Sequence, residues 1–233
     1  MHDAGMRVEL VTIGDELLRG ATVNSNAAWL GRELTERGVT VTRVTTVPDD
    51  IDAIASAVRD ASKRADAVIT TGGLGPTHDD RTMEAIAAAC GVELERHRDA
   101  TEWMADVAGV DVDGLAPGTL DLPAGARFVP NEVGLAPGAV IENIYVLPGV
   151  PDEMEAMFGH VADDFTGPPL YEAVVDIAQP EREIAPLLET METKFDLLVG
   201  SYPGSTVRVR ILGRDQDEVE AAAAWLRERV DLA

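Results

Sequence analysis

The stretch Asp66–Cys90, DAVITTGGLGPTHDDRTMEAIAAAC, decides the fold. Asp66 to Thr71 reads as a short buried strand. Gly72, Gly73 and Gly75 then form a turn, and Met83, Ile86, Ala87 and Cys90 recur at helical spacing, which makes Cys90 a core residue. The same order occurs twice upstream. The run RVELVTI, Arg7–Ile13, ends at Gly14. Val23, Ala27, Leu30 and Leu34 form one apolar stripe, capped by Asn24 or Ser25 and terminated by Gly38. Val39–Val47 extends again, Pro48 interrupts it, and Asp49 or Asp50 caps a helix with Ile51, Ile54, Ala55 and Val58 on its apolar face. Three strand–helix repeats imply a mostly parallel sheet covered by helices on both faces, a three-layer α/β/α domain. Ligands are then expected beyond the carboxyl ends of the strands.

Downstream the pattern is less regular. A helix is expected around Trp103, Met104 and Val107, inside an excursion that spans about Arg96 to Pro130. Phe128, Ala139–Ile141 and Ile144–Leu147 restore strand character, and Asp152–Phe158 begins a helix. The Gly167-Pro168-Pro169 break marks a boundary, giving domains 1–167 and 168–233. The tail reads as a small α+β unit. Glu172–Ile177 is a strand, Glu181–Glu192 a helix, and Thr206–Leu212 a strand with Val207, Val209 and Ile211 opposite Arg208 and Arg210. A last helix carries Val219, Ala223, Leu226 and Val230.

The 233 residues carry 42 acidic and 19 basic side chains, a formal charge of −23, and only two of the bases, Lys63 and Lys194, are lysines. Such a surface repels polyanions, so no nucleic-acid or anionic-membrane partner is expected. The bias fits a salt-rich cytosol, where counterions screen the self-repulsion. The single cysteine excludes an internal disulfide or a cysteine-rich zinc site. With no apolar run long enough for a membrane span and no signal-peptide core at the start, a cytoplasmic protein is expected.

The chemistry gathers in the loops. A glycine turn entering a helix is an anion site, because glycine permits close backbone approach and helix N-termini present N–H donors. Asp79 and Asp80 sit in that turn. They suit a divalent cation bridging them to a phosphate, or they take up a substrate hydroxyl or amine, or they cap the helix. Spacing excludes two alternatives. A dinucleotide fingerprint needs glycine where His78 stands, and a P-loop needs a lysine after glycine. Other strand ends add Gly14-Asp15-Glu16 with Asn24-Ser25-Asn26, Pro48-Asp49-Asp50, the turn Pro130–Gly138, and Leu147–Met154, so five loops converge on one edge. His78 could serve as a base or as a surface hydrogen-bonding residue; His2, His97 and His160 show no partner in the sequence.

The combination GDELLRG (14–20), NSNAAWL (24–30), TTGGLGPTHDDRT (70–82), NEVGLAPGA (131–139) and LPGVPDEM (147–154) resembles the CinA family, whose first domain is a relative of the MoaB/Mog molybdopterin-binding fold. The segment GSYP (200–203) followed by VRVRIL is similar to the small KH-like module that follows it, although the GXXG spacing that grips nucleic acid is missing. Larger members continue into a nicotinamide mononucleotide deamidase domain, an activity not expected from a chain ending at Ala233. The resemblance implies binding of a phosphorylated pterin or nucleotide, with metal-dependent pyrophosphatase activity on ADP-ribose. In the Mog branch two acids act with magnesium in adenylylation of molybdopterin, and by motif they fall on Asp49 and Asp80. Leu135 stands where that family more often has threonine, and Val150 where it more often has proline.

The expected catalytic residues are therefore Asp80, Asp79 and Asp49, and the expected ligands of magnesium, manganese or cobalt are Asp80, Asp79 and Glu16. The expected substrate contacts are Gly14, Glu16, Asn26, Thr71, Gly72, Gly73, Leu74, Gly75, Pro76, Thr77, Pro137, Gly138, Pro148 and Gly149. The ligand is an ADP-ribose-like nucleotide or, alternatively, molybdopterin; a noncatalytic scaffold is the third reading. A homo-oligomer is expected, with an exposed Trp29 or Trp103 as anchor.

The charge imbalance generates the first prediction. Thermal unfolding measured from dilute to molar salt should show a rising melting temperature, because screening relieves like-charge repulsion. A flat or falling temperature would refute the salt-adapted reading.

Overall fold

The computed structural model describes residues 5–75, 80–115 and 117–233. The elements in chain order are β1 (Arg7–Ile13), α1 (Asp15–Leu18), α2 (Ser25–Glu36), β2 (Thr40–Val47), α3 (Ile51–Arg64), β3 (Ala67–Thr71) and α4 (Thr82–Cys90). There follow β4 (Leu94–Arg96), α5 (Arg98–Asp106), β5 (Asp121–Pro123), β6 (Arg127–Val129), β7 (Gly138–Ile141), β8 (Ile144–Leu147) and α6 (Pro151–Gly159). The last elements are β9 (Tyr171–Ile177), α7 (Glu181–Lys194), β10 (Leu198–Pro203), β11 (Val207–Gly213) and α8 (Gln216–Arg227). The chain divides into two compact units between Gly167 and Pro168.

In the first unit a six-stranded sheet runs in the order β2-β1-β3-β8-β7-β6. The β2–β1, β1–β3 and β3–β8 pairs are parallel, whereas β8–β7 and β7–β6 are antiparallel. Period-two alternation splits its side chains between two cores. Along β8, Ile144 and Val146 join the core beneath α3, α4 and α5, while Tyr145 and Leu147 join the one beneath α2 and α6. Helix stripes supply the other half of each core: Ile54, Ala55, Val58 and Ala61 from α3, and Leu30 and Leu34 from α2, all fully or nearly fully buried. Asn24 caps α2 by accepting the Ala27 N–H at 3.1 Å, and Asp50, not Asp49, caps α3 through the Ala53 N–H at 2.9 Å.

Three expectations change. The middle excursion contains the expected helix, as α5, and in addition a two-stranded ribbon of β4 and β5, whose three-residue strands are too short to show a period. The tryptophans are not free anchors. Trp29 meets Phe158 edge-on at 5.5 Å between ring centroids, and Trp103 packs 5.8 Å from Phe128, so both are part of the packing. His97 and His160 do have partners: His97 caps α5 by accepting the Ala100 N–H at 3.3 Å, and His160 lies 2.9 Å from the Glu132 carboxylate. Cys90 is half-buried against the first core, and burial pushes its thiol up, which fits a packing role.

The second unit is a three-stranded antiparallel sheet, β10-β11-β9, with α7 and α8 over one face. Val207, Val209 and Ile211 point into its core with Val219, Ala223 and Leu226, while Arg208 pairs with Asp176 and Arg210 with Glu172 on the other face. The edge strand β10 escaped the sequence reading because Gly200, Pro203 and an exposed Leu198 blur its alternation.

One polar pair lies inside the first unit. Glu9 on β1 is 4% exposed, and Arg64 at the end of α3 grips its carboxylate with two bonds of 2.9 and 2.7 Å. The guanidinium holds the Glu9 carboxyl below the usual glutamate range, against the opposing effect of burial. A depressed acid pKa contributes stability that is fully present above the unfolded value and lost as pH falls through the folded one. Glu9→Gln should therefore cost about 1–2 kcal/mol at neutral pH, moderated because Arg64 is half-exposed, and should shrink the loss of stability below about pH 4. Urea unfolding at pH 7 and pH 3.5 checks both parts; an unchanged acid limb contradicts the assignment.

Candidate functional site

The site forms where the strand order reverses. β2 lies on one side of β1 and β3 on the other, so the loops leaving β1 and β3 diverge and open a crevice beyond the strand ends. The register sets its floor. Ile13 pairs with Val47, Thr12 with Thr71, and Thr71 with Leu147, so Gly14, Pro48, Gly72 and Pro148 leave the sheet within one residue of the same level. Because β7 runs antiparallel to β8, the turn before Gly138 arrives at that edge too.

The glycine turn is held by backbone crowding. Gly72 has φ 109°, and a Cβ there would lie 2.2 Å from the Ile13 carbonyl oxygen. Gly73 has φ 65°, and its Cβ would lie 2.3 Å from Thr82 Oγ1. Thr82, fully buried at the start of α4, donates its hydroxyl to the Gly72 carbonyl at 2.9 Å and its N–H to the Gly73 carbonyl at 3.1 Å. The first N–H of α4 is thus committed to the turn itself. The sequence reading missed Thr82 as the pin; its signal was a hydroxyl residue opening the helix just past the glycines. From the opposite side Gly149 closes on Gly72, with Cβ space ending 3.2 Å from its Cα.

Around this floor is a cleft of ≈ 720 Å³. Of the expected residues, Gly14, Glu16, Asp49, Gly72, Gly73, Leu74, Gly75, Asp80, Pro148 and Gly149 line it. Thr71 and Asn26 line a small side hollow together with Glu16 and Gly149, and Pro137 lines an adjoining one. Asn26 acts as a tether: its side-chain N–H donates to the Gly149 carbonyl at 2.8 Å. Gly138 does not reach the cleft. It is buried in β7, where a Cβ would meet Met157 at 2.6 Å and the Val146 carbonyl at 2.7 Å, so its role is packing. Pro76, Thr77, His78 and Asp79 lie outside the described residues. The cleft also contains residues that the sequence reading did not select: Gly114, Leu115 and Thr119 from the excursion, Leu135 and Ala136, and Val150 and Glu153.

Four of the lining residues are carboxylates, Glu16, Asp49, Asp80 and Glu153, and among the described lining residues there is no lysine, arginine or histidine. Three of the four press against a glycine. A Cβ on Gly14, Gly75 or Gly134 would come within 2.3, 2.6 and 2.3 Å of Glu16, Asp80 and Glu153 respectively. Asp49 accepts the Asp15 N–H at 2.9 Å and so fixes the start of α1. The cap position of α4 belongs to Arg81, whose side chain makes no capping bond and pairs with Glu84 at 2.6 Å. Among the described residues no three acidic, histidine or cysteine side chains group closely enough to hold a metal ion by themselves.

Residues 9–167 match the family model described as a probable molybdopterin binding domain. A CinA-like protein of Frankia casuarinae is 51% identical over 165 residues, covering 66% of this chain and 38% of its own length. A crystal structure of the protein CinA, of unknown function, from Thermoplasma acidophilum superposes with a TM-score of 0.64 at 38% identity, covering 70% of this chain and 99% of that one. The chain belongs to the CinA family. Its second unit, residues 169–232, matches the model described as the middle domain of FAD synthase, a different description from the KH-like one expected. A protein of Archaeoglobus fulgidus, 37% identical over 225 residues, spans both units, with 96% of this chain and 97% of its own length covered. No helix among the described residues is long and apolar enough to cross a membrane.

The crowding at the turn can be measured. In this CinA-family chain Gly73 and Gly91 have nearly equal φ, 65° and 70°, but nothing lies within 4 Å of a Cβ at Gly91. Gly91→Ala should cost about 1 kcal/mol from backbone strain alone, and Gly73→Ala about 3 kcal/mol once the Thr82 contact is added. Equal losses in denaturant unfolding would show that the Thr82 pin is not a constraint.

Proposed function

We propose that the cleft binds a phosphorylated small molecule together with a divalent cation and hydrolyses the pyrophosphate of an ADP-ribose-like nucleotide. The observation that carries this reading is the lining: a glycine turn beside four carboxylates, with no cationic side chain among the described lining residues. A phosphate entering such a site needs positive charge from elsewhere. Magnesium, manganese or cobalt fits, because these hard cations take one or two carboxylates and complete their shells with phosphate oxygens and water. Asp80, over Gly75, and Glu16, over Gly14, are the acids offered as holders. When bound, such a metal would offset charge on the phosphates and activate water.

The remaining work falls to the chain. Backbone N–H groups of the glycine turn are the offered phosphate donors. Asp49 keeps one oxygen on the Asp15 N–H, fixing the α1 turn that carries Glu16, and so acts as a positioning residue. Water would add to one phosphorus while the P–O–P bridge oxygen leaves with the other phosphate. A second reading, molybdopterin binding or adenylylation, is favoured by the description of the matched family model and uses the same phosphate floor. The cleft lies wholly within the first unit, which suits either substrate without a contribution from the tail.

Asp80→Asn separates metal chemistry from a structural role. It keeps the shape over Gly75 and removes the charge. Hydrolysis of ADP-ribose with magnesium, manganese or cobalt in molar salt should fall by about 100-fold or more, with a melting temperature shifted by less than about 3 °C. Turnover that survives the substitution refutes the mechanism. A wild-type protein inactive with every metal, yet binding a pterin diphosphate, shifts the assignment to the molybdopterin reading.

A further inference from the structure

On the side of the cleft served by the loops at β7 and β8, the lining includes Leu135, Val150 and Glu153. Leu135 and Val150 are half-exposed, so apolar surface faces the same space as one carboxylate. We propose that Glu153 is the specificity-determining acceptor for the ring-bearing half of the ligand. It would take up a pair of neighbouring N–H or O–H donors while the aliphatic walls cover the ring. The proposal rests on the reading of the cleft given above and names what this side of it selects.

Glu153 is held by a buried device. Asn131 is 1% exposed and uses both ends of its amide. Its nitrogen donates to the Ala136 carbonyl at 3.0 Å and to Glu153 Oε2 at 2.7 Å, and its oxygen accepts the N–H groups of Val133 and Gly134 at 3.3 and 2.8 Å. The loop that carries Leu135 and the acid that faces it are therefore fixed by one side chain. Gly134 adds the other wall, since a Cβ there would stand 2.3 Å from Oε2 and 2.7 Å from Oε1. Glu153 sits in the first turn of α6, where no side chain caps the helix, and it forms no ion pair among the described residues. Asn131 occupies one acceptor site on Oε2, which leaves Oε1 and a second site on Oε2.

An ionised carboxylate only accepts, so it matches two donors side by side and mismatches a donor next to an acceptor. The exocyclic amine of adenine lies beside a ring nitrogen that accepts, and that edge fits poorly. The vicinal hydroxyls of a ribose fit, as does the amino-amide edge of a pterin. Both sources share the donor pair, and the two probes below tell them apart.

The test uses the full chain in molar salt with magnesium, comparing wild type, Glu153→Gln and Gly134→Ala by calorimetric titration. The probes are ADP-ribose, a pterin diphosphate and inorganic pyrophosphate. Glu153→Gln keeps an oxygen for Asn131 and replaces the free acceptor by a donor, whereas Gly134→Ala displaces the carboxylate without touching its charge. Both variants should lose about tenfold or more in affinity for whichever ring-bearing probe the wild type prefers, and should keep pyrophosphate affinity within about twofold. Ring-bearing affinity unchanged in both variants overturns the proposal while leaving the phosphate site standing; pyrophosphate affinity falling in parallel also overturns it, because Glu153 would then serve the phosphate site itself. A wild type that binds none of the three probes overturns the cleft reading, and this proposal with it.

Discussion

The arrangement depends on one backbone contact, the passage of Gly72 between the Ile13 carbonyl and Gly149. There is no room for a Cβ on Gly72 on the Ile13 side, and a Cβ on Gly149 would stand 3.2 Å from the Gly72 Cα. Three strands of the parallel part of the sheet therefore end against each other through backbone alone, and Thr82 ties the exit of the turn to the start of α4. Any side chain at Gly72 would push β1, β3 and β8 out of level, and with them Gly14 and Pro148. The cleft is open because the strand order reverses at β1, and it is narrow because the glycines let the loops close on each other.

A second constraint is electrostatic. Four carboxylates share a cleft in a chain that carries −23, and their mutual repulsion acts in a space partly screened from solvent. The structure offsets this by fixing each acid locally. Asp49 accepts a backbone N–H, Glu153 accepts from a buried amide, and Glu16 and Asp80 lean on glycines that leave them space. Among the described lining residues the acids have no cationic side chain beside them; on the proposed function, a bound cation would relieve that charge deficit and tie ligand affinity to metal and to ionic strength.

Much of this was legible in the sequence, for identifiable reasons. Helix stripes such as Ile54, Ala55 and Val58 and the glycine stops at Gly14 and Gly38 are local signals, and the three βα repeats fix both the sheet and the edge at which its loops gather. What stayed hidden is nonlocal or short. β4 and β5 are three residues each, and β10 carries glycine and proline. Gly138 sits in a loop motif and reads as a contact, yet its lack of a side chain serves Met157 and Val146 in the core. Thr82, Asn131 and Glu153 act through partners 2 to 22 positions away, across turns whose geometry no periodicity reports.

The departures from the family's usual loop residues take on meaning in this light. Leu135 and Val150 stand where threonine and proline are commoner, and both are side chains that shape the cleft wall. A threonine at 135 would offer a hydroxyl to the ligand, and a proline at 150 would stiffen the entry to α6. Leucine and valine instead add apolar surface to the wall of the cleft that Glu153 also lines. In the proposed function, the phosphates lie against the glycine floor and Asp80, which line the cleft at the ends of the parallel strands. In the selection proposed above, the work falls to the side chains at 135, 150 and 153, which can vary while Gly149 keeps its contact with Gly72. On that proposal, a fold built this way would keep its phosphate site while exchanging the rest of its ligand through the side chains at positions 135, 150 and 153.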